Sequence, residues 1–558
     1  MTPSYHGISY TWGDPDSFIV VNVNGRDMLV RKCCDDHCVR TEKVCEYPPP
    51  QIPLRERRAL ENQAQPWDTA PWVAGKIKNE EQPVSLGRKL ISGSTDPFNC
   101  MPIEMPLGSE ALLHYYHQAG KKVELSLNQQ GKSPSVDPSF SDVEDQLTRY
   151  TSHHNIRRIM LDPHAFRNTL ICAGMHFAWN AGDLQSFQPA FLYHKLRTIR
   201  LVNNWMVSND RRLIAFVIKQ IVTLCFAELC VGELHTAEIH LQGVIAILDL
   251  KRSVLDYPFK KDSLEQELAD RYFILMCTIF LSFKSRVNDL LHEDHPHQED
   301  VAATIEETTK AMQRWRRMEN NAGISAKLLA LHLLPYFFNP LPVGAVLGEV
   351  DAEDTIACLR ELTNKLHQVR HGQRGDTTNG VSNVVWDDGM AARLLEIYVV
   401  AHARSISLSG EKSQAPGHRR PATTWCGVFI AAGFYLTHVI DLWAPVECRI
   451  HQYMVSLLER DLAYNVECLG RGDPEPGDLL FWQIFLGAFS IYEYQLDSPT
   501  ADSFLKPSFF CNAIKRWSQS TGTREWSDAE AILRKVAWPA AFRKGENARA
   551  LWEMAITS

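Results

Sequence analysis

Hydrophobic residues are most regularly spaced between Arg212 and Leu250, where they predict two antiparallel helices. The first half repeats apolar residues at the spacing of one helix face, and further apolar residues fill most of the other faces, so this helix should be buried nearly all round. Gly232 is expected to end it, because glycine readily takes the left-handed conformation that closes a helix. The second run is amphipathic, with apolar residues at Ala237, Leu241, Val244, Ile245 and Leu248.

Gly243 lies inside the second predicted helix, where glycine costs about 1 kcal/mol relative to alanine. A glycine retained in such a position suggests that another element packs closely against its backbone. We therefore expect this helix pair to be the structural centre of the chain. On the same argument, Gly243→Leu should destabilise the fold by about 1–3 kcal/mol through overpacking.

Helical patterns dominate the chain beyond residue 96, and strand signals are nearly confined to residues 18–31. There, two β-branched runs flank Asn24 and Gly25, a dipeptide that favours the tight turn of a hairpin. The predicted fold class is all-α, a large domain of packed antiparallel helix pairs with a small irregular N-terminal segment that contains a β-hairpin. Helices are predicted near residues 109–119, 164–180, 189–206, 212–231, 233–250, 264–291, 299–332, 351–370, 388–406, 425–441, 447–468, 478–494, 527–537 and 545–555.

Composition divides the chain into four segments. Residues 1–31 hold the hairpin, and residues 32–58 hold a compact cysteine cluster followed by prolines and basic residues. Residues 59–95 are rich in Gln, Asn, Pro, Lys and Ser without apolar periodicity, which is typical of a linker. Residues 96–558 form the helical domain, whose polar interruptions are predicted surface loops at 120–145, 370–383, 409–423 and 469–477.

The overall composition indicates an intracellular protein with a large core. The chain has 558 residues and 45% hydrophobic content, and its formal net charge of −8 disfavours a surface built as a whole for nucleic acid or anionic membrane. Its 14 cysteines are spread thinly along the sequence, which favours a reducing compartment. The longest apolar run, Trp425 to Trp443, is interrupted by polar residues and predicts a buried helix, so we expect no membrane partner.

The cysteine cluster at residues 33–45 carries the clearest chemical claim. Three residues separate Cys34 from Cys38, and six separate Cys38 from Cys45. Thiolates at such spacing can converge on a zinc ion, because a tetrahedral ion needs only a turn to bring two sulfurs together. Bound zinc would also supply folding energy that so short and polar a stretch lacks. The alternative, reduced surface cysteines without metal, stays open.

The stretch CVRTEKVCEYPPPQIPLRERR resembles the second half of the fungal six-cysteine, two-zinc DNA-binding cluster. The match covers Cys38, Cys45 and the following Glu46-Tyr47-Pro48, while the first three cysteines and the base-reading helix of that family have no counterpart. Residues 31–58 hold seven basic side chains against five acidic ones, and this small surplus would support only weak, salt-sensitive contact with DNA phosphates. The basic side chains that would make this contact are Arg40, Lys43, Arg55, Arg57 and Arg58.

Residues 1–31, with GISYTWGDPD and VNVNGRDMLV, resemble the opening of the heterokaryon-incompatibility domain of filamentous fungi. The match covers about thirty residues of a much longer domain, and the later motifs of that family are absent from this sequence. The change of character at Arg31 suggests that two fragments were joined by an unusual gene fusion or by a mispredicted first exon. Transcript sequencing across the first hundred codons would distinguish the two origins.

The region beyond residue 96 resembles the fungal-specific transcription factor domain, an all-α regulatory domain. The resemblance is carried by an ordered set of strings: DPFNCMPIEMPLGSEALLHYY at 96–116, LICAGMHFAWNAG at 170–182, the pattern from Gly232 to Val244, LLFWQIFLGAFS at 479–490, and the ending WSDAEAILRKVAWP…LWEM. It implies a fungal nuclear regulator of transcription, of a kind often found with secondary-metabolism genes. The transcription machinery, other proteins and a small-molecule effector are the partners it implies.

Other candidate sites have a simpler interpretation. A second cluster of metal-ligating types is favoured as a solvated loop, and it comprises His292, Glu293, Asp294, His295 and His297. Paired histidines on helices, such as His235 and His240 or His114 and His117, are expected to be hydrogen-bonded or solvated rather than ligands. No phosphate loop, HExxH motif or nucleophile elbow occurs, and we expect no enzymatic activity.

Two alternatives to the transcription regulator remain open on the sequence. The first is a helical interaction scaffold that has lost contact with DNA and acts through protein partners. The second is an enzyme with an unrecognised site in the helical domain, since acid–base pairs become visible only when the fold brings them together. A pocket where two titratable side chains converge would favour the enzyme.

Overall fold

The computed structural model describes residues 18–23, 26–31, 101–130, 162–208, 214–252, 264–294, 304–318, 321–338, 341, 344–372, 390–408, 422–469, 477–497 and 508–557. The chain divides into two units, Met1–Ala74 and Gly75–Ser558. Within the first unit, strand β1 (Phe18–Val23) pairs antiparallel with β2 (Arg26–Arg31), and Val23 lies opposite Arg26. The predicted hairpin is therefore confirmed.

The second unit is built almost entirely of helices. Its helices are α1 (Ser109–Gln130), α2 (Pro163–Ala181), α3 (Gln188–Ser208), α4 (Ile214–Cys230), α5 (Leu234–Arg252), α6 (Leu264–Asp294), α7 (Ile305–Met318), α8 (Asn321–Phe337), α9 (Glu353–Gly372), α10 (Met390–Arg404), α11 (Trp425–Phe434), α12 (Cys448–Cys468), α13 (Asp478–Asp497), α14 (Ser508–Thr521), α15 (Trp526–Val536) and α16 (Gly545–Thr557). A short 3₁₀ turn, Gln185–Phe187, precedes α3. The all-α class predicted from periodicity is confirmed.

Four details depart from the predicted elements. The single helix expected at 299–332 is two helices, α7 and α8, and α1 continues to Gln130 through the beginning of a predicted loop. Helix α14 was not predicted, although it carries Phe510 and Trp517 in the core. Two small antiparallel pairs also form: β3 (Ala345–Leu347) with β5 (Ile406–Leu408), and β4 (Val350–Asp351) with β6 (Ala422–Thr423).

Helix α4 is the most completely buried helix of the predicted central pair. Nearly all of its residues from Ala215 to Leu229 are buried, and it packs against α2, α3, α5 and α6. At its end Gly232 has φ +86°, and the Glu233 amide donates to the Glu228 carbonyl over 3.0 Å. Because the left-handed glycine reverses the chain, α5 returns along α4 and both share one core.

The close approach expected at Gly243 is wrong. A Cβ built on this residue would meet nothing within 4 Å. Of its two neighbours in the sequence, Gln242 is exposed and Val244 is buried. The glycine lies at the edge of the buried face rather than in the helix contact. Periodicity placed the apolar face of α5 correctly but did not show how far the neighbouring helices extend around it.

The apolar run from Trp425 to Trp443 is a buried helix that changes pitch before it ends. Every residue of α11 is buried, and the Thr424 hydroxyl caps its first turn by accepting from the Gly427 amide. The helix continues as a π-helix, Tyr435–Val439, and Asp441 then takes φ +52°. No described helix is long and apolar enough to cross a membrane.

Aromatic side chains fill the core of the C-terminal helices. Phe481 of α13 stacks on Trp517 of α14 with ring centroids 3.9 Å apart. The indole of Trp482 donates to the Ala537 carbonyl over 2.8 Å, which joins α13 to the chain after α15. Buried rings with a satisfied polar atom stabilise a fold by both area and direction, so these helices form one packed body.

Candidate regulatory site

The residues proposed from sequence for zinc and DNA contact lie outside the described residues. These are Cys34, Cys38 and Cys45 for the metal, and Arg40, Lys43, Arg55, Arg57 and Arg58 for phosphate contact. In the part of the chain that the structure describes, no group of three or more His, Cys, Asp or Glu side chains could hold a metal ion. Any zinc site therefore stays a prediction about residues 33–45.

One predicted histidine lies beside a buried carboxylate rather than a metal. His240 of α5 has its Nε2 3.7 Å from Glu228 Oε1, and Lys195 of α3 has its Nζ 2.6 Å from Glu228 Oε2. Burial pushes the pKa of Glu228 upward, but the neighbouring His240 and Lys195 outweigh it and hold that pKa below its ordinary value. Lys195 of α3 and His240 of α5 thus both lie beside the Glu228 carboxylate of α4, which links the three helices.

The most extensive buried ion network is centred on Asp270 of α6. Asp270 is fully buried, and its Oδ1 accepts from Gln266 Nε2 over 2.8 Å and from the Tyr453 hydroxyl over 2.7 Å. Its Oδ2 accepts from the Arg460 guanidinium over 2.7 Å. Both oxygens are thus bonded, which meets the requirement that a buried carboxylate be paired and hydrogen-bonded. The bonds tie α6 to α12.

Arg271, the next residue, ties α6 to the end of α10. Its NH1 donates to the Ser405 hydroxyl over 2.7 Å and lies 3.1 Å from His402 Nδ1, and its NH2 donates to Glu267 Oε1 over 2.5 Å. Because burial and the adjacent Arg271 lower the pKa of His402 well below its ordinary value, the ring is neutral and Nδ1 can accept. We call these residues the α6 ion network: Glu267, Asp270, Arg271, His402, Ser405, Tyr453 and Arg460.

Aromatic rings enclose this network on the core side. The Arg271 guanidinium lies 5.5 Å from the centroid of Trp425 in α11, and the His402 ring lies 4.3 Å from that of Phe337 in α8. Toward the outside, the Thr424 hydroxyl donates to Asp461 Oδ2 over 2.6 Å, and burial raises the pKa of Asp461 to about 6. The charges therefore lie between an aromatic core and a titratable rim.

The geometry of the network favours positioning over catalysis. Asp270 is fully buried and accepts from three donors, and both terminal nitrogens of Arg271 donate to protein acceptors, although its buried Nε has no hydrogen-bond partner. A general base must reach the proton that it removes, and a fully buried carboxylate held by three donors is not placed to do so. The network fixes α6, α10 and α12 in one arrangement, and the hydrogen bond from Thr424 to Asp461 adds the residue before α11.

Sequence reasoning missed the α6 ion network, although one signal was present. Asp270 and Arg271 stand next to each other at the start of the apolar run from Tyr272 to Phe283, where a charged pair needs partners. Those partners, His402 and Arg460, lie more than a hundred residues away in sequence. A single sequence marks the charged pair as unusual but does not identify what it meets.

Comparisons with known proteins add no assignment to this geometry. No family model matches the chain, and no curated protein or solved structure matches it. The function is therefore argued from the sequence strings and from the contacts described above.

Proposed function

We propose that the protein is a fungal nuclear regulator of transcription that acts through its helical unit. One observation carries the proposal: the strings that resemble the fungal-specific transcription factor domain occur in the order of that family along the chain. They fall on α1, α2, the α4–α5 turn, α13, α15 and α16, which are helices of the same unit.

A regulator of this kind works by shifting between arrangements of its helices. The α6 ion network is suited to such a shift, because its partners come from separate helices and moving one of these helices breaks buried hydrogen bonds. A partner that binds one arrangement better than another changes the populations by its difference in affinity. Contact with DNA itself would be made by residues 32–58.

The test is a reporter assay with the full chain fused to an unrelated DNA-binding domain. Transcription from a reporter with moderate basal activity should rise or fall relative to that DNA-binding domain alone, at matched protein abundance. An unchanged reporter in a filamentous fungus would contradict the proposal. A gel shift with the full chain, with and without zinc, tests the DNA part separately.

The same pair of experiments distinguishes the proposal from the interaction scaffold. A scaffold without DNA contact leaves the gel shift blank or shows only sequence-independent binding that disappears with added salt. Zinc-dependent retention of one promoter fragment over a scrambled fragment of equal length would instead favour a regulator with its own DNA contact.

A further inference from the structure

Two buried histidine rings face each other where the helix of α11 ends. His451 of α12 is fully buried, and neither of its ring nitrogens has a hydrogen-bond partner. His438 of the π-helix is 3% exposed, and Lys544 Nζ donates over 3.5 Å to its backbone carbonyl rather than to its ring. The two ring centroids lie 5.8 Å apart. Buried polar groups are almost always hydrogen-bonded, which makes this pair an exception.

Aromatic rings, not carboxylates, surround His451. Tyr494 of α13 stacks on it with centroids 4.7 Å apart and planes 9° from parallel. Phe434 of α11 lies 5.4 Å from the same ring and 6.3 Å from the ring of His438. Burial raises the pKa of Tyr494, which lies beside Cys448, to about 12, so its hydroxyl carries no charge near neutral pH. A neutral imidazole fits these surroundings, whereas a charged one would have no counter-ion.

The carboxylates closest to the pair already have a cation. Lys544 Nζ lies 2.9 Å from Glu493 Oε2 of α13 and 3.2 Å from Asp441 Oδ1, and the Arg543 guanidinium lies 3.6 Å from Asp441 Oδ2. The Asn547 amide of α16 donates to the other oxygen of Glu493 over 2.8 Å. These contacts leave the positive side chain of Lys544 as the charged neighbour of His438.

A proton is therefore disfavoured on both rings in the packed structure. Burial, the adjacent His451 and Lys544 lower the pKa of His438 to about 3. Burial lowers the pKa of His451 to about 3 as well. A histidine in contact with water has a pKa of about 6.5, so either ring takes up a proton more readily once it leaves this site.

The backbone beside the pair is irregular. The π-helix Tyr435–Val439 ends the helix, and Asp441 then takes φ +52°, a left-handed conformation that costs free energy for any residue other than glycine. The Leu442 amide donates back to the Leu436 carbonyl over 2.8 Å, and the chain reaches α12 at Cys448. Strain in this connection, residues 440–447, lowers the cost of opening it relative to a regular helix.

We propose that His438 and His451 form an acid-sensitive switch that holds the π-helix against α12 when both rings are neutral. When either ring takes up a proton, it moves from its aromatic surroundings into water and the connection 440–447 opens. The sign follows from the lower pKa of the packed rings: the closed form is favoured above about pH 6.5 and loses stability as the pH falls below that value. The switch goes beyond the function proposed above and does not depend on it.

The size of the effect follows from the two states of each ring. For a ring whose pKa rises from about 3 to about 6.5 on opening, the equilibrium constant for opening increases about eightfold between pH 7 and pH 5.5. When both rings open together, the increase is about seventyfold.

Hydrogen exchange of the full chain, followed by mass spectrometry, tests the switch. We expect the protection factors of the amides at 440–447 to fall about seventyfold between pH 7 and pH 5.5. At pH 5.5 these amides should exchange while those of α4 are still protected, because the opening is local. Equal protection in both segments, or no loss at 440–447, would overturn the switch.

Phenylalanine variants remove the titration and keep the rings. His438→Phe and His451→Phe should each leave about an eightfold loss of protection at 440–447, and the double variant should leave none. His438→Gln replaces His438→Phe if the latter does not fold. His235→Gln, at an exposed position of α5, is the control and should show the full loss of the wild type. A double variant that still loses protection about seventyfold would assign the acid response to other residues and overturn the proposal.

Discussion

The α6 ion network and Lys219 of α4 are both buried and charged, yet they differ in how their charges are met. Asp270 has a donor at each oxygen, and Arg271 has acceptors for both terminal nitrogens. Lys219 donates to one backbone carbonyl and forms no ion pair among the described residues, and neither polar atom of the Asn168 side chain is hydrogen-bonded. Paired charges hold helices together, whereas a buried charge without an ion pair carries a cost of desolvation that no partner offsets.

The comparison also explains why buried charge by itself says little about function. Removing one member of a satisfied buried pair leaves the other without a partner, while removing a charge that never had one relieves a cost. The two regions should therefore respond to neutralising substitutions with opposite signs.

Asp270→Asn should have the largest effect. It leaves Arg460 without its ion pair and turns an amide nitrogen toward donors, since the carboxylate accepts from Gln266 and Tyr453. We expect a loss of about 3–5 kcal/mol in the free energy of unfolding. Denaturant unfolding followed by circular dichroism measures it.

The matched control for Asp270→Asn is an exposed pair. Arg534 and Glu530 form an ion pair one turn apart on α15, and Glu530→Gln should change the free energy of unfolding by less than about 0.5 kcal/mol. If Asp270→Asn cost no more than this control, the α6 ion network would not hold the helices in place.

His451→Phe should stabilise the protein, because His451 is another buried polar group without partners. The ring is fully buried, neither nitrogen is hydrogen-bonded, and it stacks on Tyr494 at 4.7 Å. Phenylalanine keeps the stacking and removes two unsatisfied atoms, for a gain of about 1–3 kcal/mol at pH 7. The variant's denaturation midpoint should lie above that of the wild type.

The gain from His451→Phe should grow in acid. Burial lowers the pKa of His451 to about 3, below the value of the unfolded chain. As the pH falls below about 6.5, the unfolded chain takes up a proton at this residue and the folded protein does not, so the wild type loses stability. The loss between pH 7 and pH 5 is about 2 kcal/mol. His235→Gln, at an exposed position of α5, is the control and should keep the pH dependence of stability that the wild type has. The prediction would be contradicted if His451→Phe kept that same pH dependence.

Gly243→Ala should have the smallest effect and a favourable sign. The space beside Gly243 is open, so a methyl group adds helix propensity without a clash and stabilises by about 1 kcal/mol. Gly174→Ala in α2 is the contrast, since its Cβ would lie 2.4 Å from the Phe191 ring and should lower stability. Thermal unfolding of the two variants compares them, and destabilisation by Gly243→Ala would restore the close packing first expected there.

Most of the fold could be predicted from the sequence because the spacing of apolar residues in a helix is a local pattern. The spacing of apolar residues located α4 and α5, and Gly232 marked the turn between them, as the structure confirms. Helix α14 was not predicted, since polar residues stand between its core residues Phe510 and Trp517 in the sequence. The open side of Gly243 depends on how far neighbouring helices reach, which no local pattern records.

The candidate sites could not be predicted, for a different reason. Arg271 stands out in sequence as a charge beside an apolar run, but its partner His402 is 131 positions away. Lys219 likewise stands in an apolar helix, and only the packed structure shows that its ammonium group donates to the Phe338 carbonyl. Sequence pattern identifies unusual charges, and the fold decides whether they are satisfied.

The π-helix at Tyr435–Val439 sets the direction of the side chains in the last turn of this helix. A π-turn holds one residue more than an α-turn, so deleting one residue there would restore the α-helical pitch and rotate the next side chains by about 100°. His438, whose ring now lies 5.8 Å from that of His451, would then face another direction. The extra residue of the π-turn therefore sets the direction in which His438 faces, and with it the contact between the two rings.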